Sequence, residues 1–333
     1  MPAMNGWDLE LIVVRRSHID GERSALRRDV ERGMLIRLRQ GVYTLRAPYL
    51  ALSLEQQHIV QMRAVAAVAP GLTVFSHVSA GVAHGLPVLR TRLNRVHTTV
   101  PTLTQRGRDG VAAHVFAVRP SEVVQLGPLT VTSIGRTVVD LAGALPFGEG
   151  LMAADAALRA GIPRELLEAA RDLAGPRRAE RRIADVIAVA HPGAGSANES
   201  MSRSHLIRMG FEPPELQHPL WDHLGFVGFL DFFFRRWGIG GEADGLAKYR
   251  DPAFAAAGTS QALIDEKLRE DRVLPLVAGL ARWGWAVSIS APRLRDTLGA
   301  FGVVPAWPLA TVADYAAEAR AARPRIVVPL VTR

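Results

Sequence analysis

The chain has 333 residues, with 40 basic and 32 acidic side chains and no cysteine, and its sequence pI is near 10.7. A disulfide framework, a thiolate zinc site and a cysteine nucleophile are excluded. No apolar run reaches the roughly 18 residues a spanning helix needs, and residues 1–20 lack a basic-then-apolar signal. The expected setting is therefore the cytoplasm, with no membrane partner.

Among the basic residues only Lys248 and Lys267 are lysine; the rest are arginine. With abundant Ala, Gly and Val, this points to a compositional bias, so total arginine is weak evidence for a nucleic-acid partner. The distribution says more. Residues 1–150 carry 17 basic and 11 acidic groups, and residues 151–333 carry 23 and 21. Any footprint for a polyanion belongs to the first part.

The patterns predict a mixed α and β chain, with segments at 1–48, 49–188 and 189–300 and an extension at 301–333. His191-Pro-Gly-Ala-Gly-Ser196 is the expected linker before the third. In the first segment, helices are expected at Asp8–Arg16 and Glu22–Arg32, the second closed by Gly33. Two strands follow around Gln40-Gly41. A helix followed by a tight hairpin is the winged-helix plan. Its duplex-facing candidates are Arg23, Arg27 and Arg28 on the helix, with Arg37, Arg39, Gln40 and Tyr43 at the wing. Asp29 and Glu31 interleave with the arginines, so a solvated amphipathic helix stays open as the alternative.

The second segment opens with an apolar-periodic helix, Leu54–Ala69. His77 and His84 are seven apart and share a face if helical; with no further ligand nearby, capping and packing are favoured over a metal. Strands are expected at Val96–Val100, Val111–Val118 and Leu129–Ser133, and helices at Ile134–Ala142 and Leu151–Ala160.

The third segment carries the chemistry. Ser196-Ala-Asn-Glu199 opens a helix. Phe226–Phe234 is an apolar strand holding one acid, Asp231, and Trp283–Ile289 is expected as a later strand. A lone carboxylate in a buried strand is unfavourable unless it is paired or metal-bound. Two unit charges about 4 Å apart repel by roughly 4 kcal/mol at an effective dielectric near 20. Asp231 beside Glu242 and Asp244 would therefore raise a pKa or bind a divalent cation, Mg2+ or Mn2+. Lys248 could then steady developing charge in phosphodiester cleavage. Each residue has a plainer reading: Glu199 as the capping-box partner of Ser196, Asp231 at a wet edge strand, Asp244-Gly245 as a turn, Lys248 as a surface lysine. The chain has no G-x-S-x-G elbow and no Walker A loop. Gly238-Ile-Gly-Gly-Glu-Ala243 fits G-x-G-x-x-A without a following helix, and no organic cofactor is expected.

Three runs of the first two segments resemble the AbiEi-type antitoxins of type IV toxin–antitoxin systems: Leu38-Arg-Gln-Gly-Val-Tyr43, Ser76-His-Val-Ser-Ala-Gly-Val-Ala-His-Gly-Leu-Pro87 and Val131-Thr-Ser-Ile-Gly-Arg-Thr-Val-Val-Asp140. The third segment resembles the PD-(D/E)XK, very-short-patch-repair-like endonucleases, through Glu199, Leu230-Asp-Phe232, Glu242-Ala-Asp-Gly245, Lys248-Tyr249 and Glu266-Lys-Leu-Arg-Glu270. The resemblance implies a multidomain α+β protein. It would have a winged-helix head, an antitoxin-like α/β middle domain and a restriction-endonuclease-like α/β domain. Its partners would be double-stranded DNA and a cognate nucleotidyltransferase-like toxin. It implies Asp231, Glu242 and Asp244 at a metal, Lys248 as catalytic lysine, and Glu199 on the first core helix. The chain departs from the pattern in three places. Asp244 stands at the lysine position of (D/E)-X-K, glycines 238, 240 and 241 replace β-branched residues, and Ile289 stands where an arginine is common.

Overall fold

A computed structural model of the protein describes residues 6–14, 20–69, 71–101, 110–176, 178–243 and 259–322. It is a mixed α and β chain in two compact units. One comprises residues 1–144, 165–180 and 330–333; the other comprises 145–164 and 181–329.

The first unit begins with β1 (Ile12–Val13), α1 (Asp20–Glu31), β2 (Leu35–Arg39) and β3 (Val42–Leu45). The strands form an antiparallel sheet in the order β1-β3-β2. Gly33 (φ +74°) ends α1 and Gly41 (φ +78°) turns the hairpin, both in the left-handed region that glycine enters freely. The helix expected at Asp8–Arg16 is corrected. The β-branched run Ile12-Val13 pairs with Tyr43 and Val42 instead, because an apolar strand completes the hairpin's sheet. Arg15 and Arg16 lie outside the described residues.

Helices α2 (Arg46–Ala51) and α3 (Leu54–Ala67) follow, α3 opened by a Ser53–Gln56 capping box. Then come β4 (Val74–Phe75), α4 (His77–Ala83), β5 (Val96–Val100), β6 (Val111–Val115), β7 (Val123–Leu126), β8 (Leu129–Thr132) and α5 (Ile134–Ala144). The five strands form one sheet, β6-β5-β4-β8-β7, with β4–β8 and β5–β6 parallel. Phe75, Val96, Val111, Leu129 and Val131 pack with Met62 and Ala80 in its core. β6 stops at Val115, short of the predicted Val118, and β4 and β7 add two short strands to those predicted.

The second unit contains α6 (Phe147–Arg159), most of α8 (Glu180–Val189) and α9 (Ala197–Met209), α7 (Arg164–Ala174) belonging largely to the first. Its sheet has the order β12-β11-β10-β9, from β9 (Glu215–Asp222), β10 (Gly225–Phe234), β11 (Ile239–Ala243) and β12 (Gly279–Trp283). β9, β10 and β11 are antiparallel neighbours, and β12 joins parallel to β11 after the Thr259–Val273 helix. The glycines of β11 have a packing reason. A Cβ at Gly241 would sit 2.8 Å from the Trp283 ring, and one at Gly240 would sit 3.0 Å from both Leu230 and Leu280.

Two expectations change in this unit. The strand predicted over Trp283–Ile289 ends at Trp283; Gly284 starts a helical turn, Trp285–Ser288. The turn brings the Ser288 hydroxyl to the Ser202 hydroxyl of α9 at 2.8 Å, and the Trp283 indole donates to Ser202 at 2.9 Å. His191–Ser196, expected as a linker, lies inside the unit with His191 and Ala194 buried. Residues 301–322 also pack inward. The Ala306 and Ala310 amides donate to the Gly210 carbonyl, and Tyr315 is buried.

Candidate active site

Ser196 caps α9, its hydroxyl accepting from the Glu199 amide at 3.2 Å. The Glu199 side chain does not close the reciprocal half of the box on Ser196. It turns back one residue further and accepts the Gly195 N–H at 2.7 Å. From there its Oε2 also accepts from Gln217 Nε2 at 3.3 Å, and the same nitrogen donates to Asp231 Oδ1 at 3.3 Å. The second oxygen of Asp231 accepts the Ala243 N–H at 2.9 Å. Four elements thus converge: the first turn of α9, the middle of β9, the facing stretch of β10 and the end of β11.

Burial, and then the nearby charge of Asp231, push the Glu199 carboxyl up to about 7. The cause is physical: a desolvated carboxylate beside a second one disfavours the charged form. Gln217 sits in β9 at φ +51°, a region uncommon for a side chain without special local support. Its neighbours Leu216 and His218 pair with Phe232 and Leu230.

A pocket of about 690 Å³ opens beside this group, lined by Gly195 and Gln217 together with Arg159, His191, His218 and Phe229. Its wall is fixed from beneath. Asp155 takes two hydrogen bonds from Arg203 Nη1, at 2.9 and 3.1 Å, and one from the His191 amide at 2.7 Å. The Gly193 N–H donates to His191 Nδ1 at 2.8 Å, which leaves Nε2 as the nitrogen that donates to Glu318 at 3.1 Å.

Glu242 is held differently from its expected partner Asp231. It is buried, with Arg269 Nη2 at 2.6 Å and Arg282 Nη2 at 2.7 Å. Glu266 bridges both arginines, at 3.1 and 2.8 Å. Its own carboxyl is lowered, chiefly by the hydrogen bond from Arg269. The structure therefore joins Glu199 to Asp231 and gives Glu242 to an arginine pair. Asp244 and Lys248 lie outside the described residues. Gln217 was not singled out by the sequence; a neutral amide in an alternating strand gives no signal by residue type.

In the first unit, Arg23, Arg27, Arg28, Arg37 and Gln40 are exposed, while Arg39 and Tyr43 are half-buried. Arg27 pairs with Glu31 at 3.0 Å on the same helix, and Arg37 reaches the Arg39 carbonyl at 3.4 Å.

A second polar group lies in the five-stranded sheet. His84 caps the Thr132 carbonyl at 2.7 Å, as expected of a packing residue, but His77 does something else. Its ring stacks on His114 at 3.5 Å, and His97 Nδ1 meets His114 Nε2 at 2.9 Å. Buried Arg136 pairs with Asp140 at 2.9 Å and with Glu122 at 2.8 Å. His77 and His114 cannot both point lone pairs at one ion, since their rings are nearly parallel, 12° apart. The sequence signal was present in part: Arg136 and Asp140 stand one turn apart in an apolar helix. Nothing in the sequence brings His97 to His114.

No family model matches the chain, and no curated protein or solved structure matches it.

Proposed function

We propose that this protein binds duplex DNA through α1 and the β2–β3 hairpin, and that its second unit cleaves phosphodiester bonds with a divalent cation, Mg2+ or Mn2+. The observation that carries the reading is one amide, Gln217, shared by the carboxylates of Glu199 and Asp231 beside an open pocket. The donor set suits such an ion: hard carboxylate oxygens, one of them on a group that gives up its proton near neutral pH. Glu199 and Asp231 would hold it, with Asp244 as the third carboxylate the sequence supplies. When bound, the ion supplies a stabilising charge and an acidified water. The chain's own residues do the rest. Gly195 and Gln217 orient Glu199 by donating to its Oε2, which leaves Oε1 as the oxygen that can hold or release a proton. Arg159, on the pocket wall, offers positive charge to a phosphate. Lys248 is the expected charge stabiliser. The order helix, three antiparallel strands, helix, parallel strand supports the endonuclease-like reading of this unit.

The test is supercoiled plasmid incubated with Mg2+ or Mn2+. Wild type should nick or linearise it, and Glu199→Gln and Asp231→Asn should each lose at least tenfold in rate. Equal cleavage by all three sinks the reading.

A second reading is favoured by the exposed arginines of α1: a DNA-binding regulator of the antitoxin type, with a nucleotidyltransferase-like toxin as partner. Full-length protein should then shift its own upstream DNA with steep salt dependence. It should also co-purify with the product of an adjacent toxin-like gene. The two readings are compatible.

A further inference from the structure

Another pocket, of about 470 Å³, lies in the first unit, where α2 and α3 meet the stretch 90–96. That is the size of a site for one small molecule. Its described wall carries two guanidinium groups, Arg90 and Arg95, and no carboxylate. Arg95 gives one nitrogen to the Val111 carbonyl at 2.8 Å, and neither arginine has an acidic partner. Elsewhere the arginines of this chain close on acids: Arg27 on Glu31, Arg236 on Glu212, Arg272 on Asp222. Two unneutralised cations at one concavity raise the local concentration of an anion.

The helix wall of the pocket is neutral and accepts hydrogen bonds. Gln57 and Gln61 stand one turn apart on α3. The Gln57 amide nitrogen donates to the Leu52 carbonyl at 3.0 Å, and the Gln61 nitrogen donates to the Tyr49 hydroxyl at 3.1 Å. Both side chains are thereby held, with their carbonyl oxygens left as acceptors. His58, between them in sequence, adds no charge. Its Nδ1 meets the Leu93 carbonyl at 3.3 Å, its Nε2 meets the Ser79 hydroxyl at 2.8 Å, and burial lowers it to about 4. A bare phosphate would use the arginines alone. A ligand that uses the whole lining carries an anion at one end and N–H donors at the other.

We propose that this pocket binds a free nucleotide, with its phosphate on Arg90 and Arg95 and the N–H edge of its base on the carbonyl oxygens of Gln57 and Gln61. The phosphate gains charge-assisted hydrogen bonds from the two guanidinium groups. A free ligand is favoured over a strand because the cations line a pocket of single-molecule size and not a flat face. The site shares no residue with the cleavage and duplex-binding readings, and it stands or falls apart from them.

The test is isothermal titration calorimetry of the full chain at low salt with GMP, AMP, CMP and UMP. Guanosine and inorganic phosphate are the fragment controls, and Arg90→Ala is the variant. At least one nucleotide should bind with a Kd below about 1 mM. Its two fragments, and that nucleotide with Arg90→Ala, should each be weaker by about tenfold or more. Arg90 makes no contact that holds the fold, so the Tm of Arg90→Ala should equal that of wild type. No nucleotide heat from wild type overturns the proposal, as does an unchanged affinity in Arg90→Ala. Inorganic phosphate bound as tightly as any nucleotide reduces the site to a general anion patch and overturns it too. A single-stranded oligonucleotide that binds more tightly than every mononucleotide, and loses that affinity in Arg90→Ala, overturns it in favour of a nucleic-acid contact.

Discussion

The two polar groups described above invite comparison. One surrounds His77 in the first unit, the other surrounds Gln217 in the second, and each contains a residue with positive φ. In the first, opposite charges close on each other. Arg136 takes Asp140 and Glu122, and desolvation holds His97 and His58 neutral, both lowered to about 4; His58 is buried on α3 with its Nε2 2.8 Å from the Ser79 hydroxyl. In the second, two carboxylates meet one neutral amide, and Glu199 is raised to about 7. A strained backbone is common to both, so strain alone does not mark a reactive site. Two carboxylates sharing one amide, with that amide on a pocket wall, distinguish the second.

The largest effects should come from the buried ion pairs beneath each group. Arg136→Ala leaves Asp140 and Glu122 buried without their cation, and Arg203→Ala does the same to Asp155. Each should lose about 3–5 kcal/mol in urea denaturation. A loss below 1 kcal/mol in either would show that its group is not closed as described.

Next comes pH, where the groups should respond in opposite senses. His58 and His97 are lowered in the fold, from 6.5 to about 4. The unfolded chain therefore binds more protons in that window. Stability is full above pH 6.5 and is lost as pH falls towards 4, by up to about 3 kcal/mol for His58. Glu199 is raised from 4.5 to about 7. The stability it contributes is full below 4.5 and is lost as pH rises through 7. Melting curves from pH 4 to 8 should flatten on the acid side in His58→Gln and on the neutral side in Glu199→Gln. Swapped effects would break the comparison.

Ser196→Ala removes the cap of α9 and should lose about 1 kcal/mol, read in the same urea series. Smallest for stability are the arginines of α1. Arg27→Ala breaks an exposed pair and should cost under about 0.5 kcal/mol. Its effect belongs to binding: each of Arg23→Ala, Arg27→Ala and Arg28→Ala should lower the salt slope of duplex affinity by about one.

How legible all this was depended on whether a feature was local. α3, α5 and the β2–β3 hairpin could be read because apolar spacing and Gly41 specify them within a few residues. Glu199 and Asp231 stood out as acids in apolar or capping contexts. Gln217 did not, since its role arises from a backbone angle and from two neighbours 18 and 14 positions away. The His97–His114 contact depends on the parallel pairing of β5 with β6, which no spacing reveals. Asp8–Arg16 misled because Ile12 and Val13 fit either period over so short a run; the hairpin beside them decided for strand. At Trp283–Ile289 the aromatic and β-branched residues suggested a longer strand, and Gly284 ended it.

The glycines of β11 have a consequence for related chains. Gly241 leaves room for the Trp283 ring, and Gly240 for Leu230 and Leu280, so these positions are coupled in size. A relative that carries a β-branched residue at the place of Gly241 needs a smaller side chain at the place of Trp283. The two should change together through evolution, and neither should be transplanted alone when this sheet is redesigned.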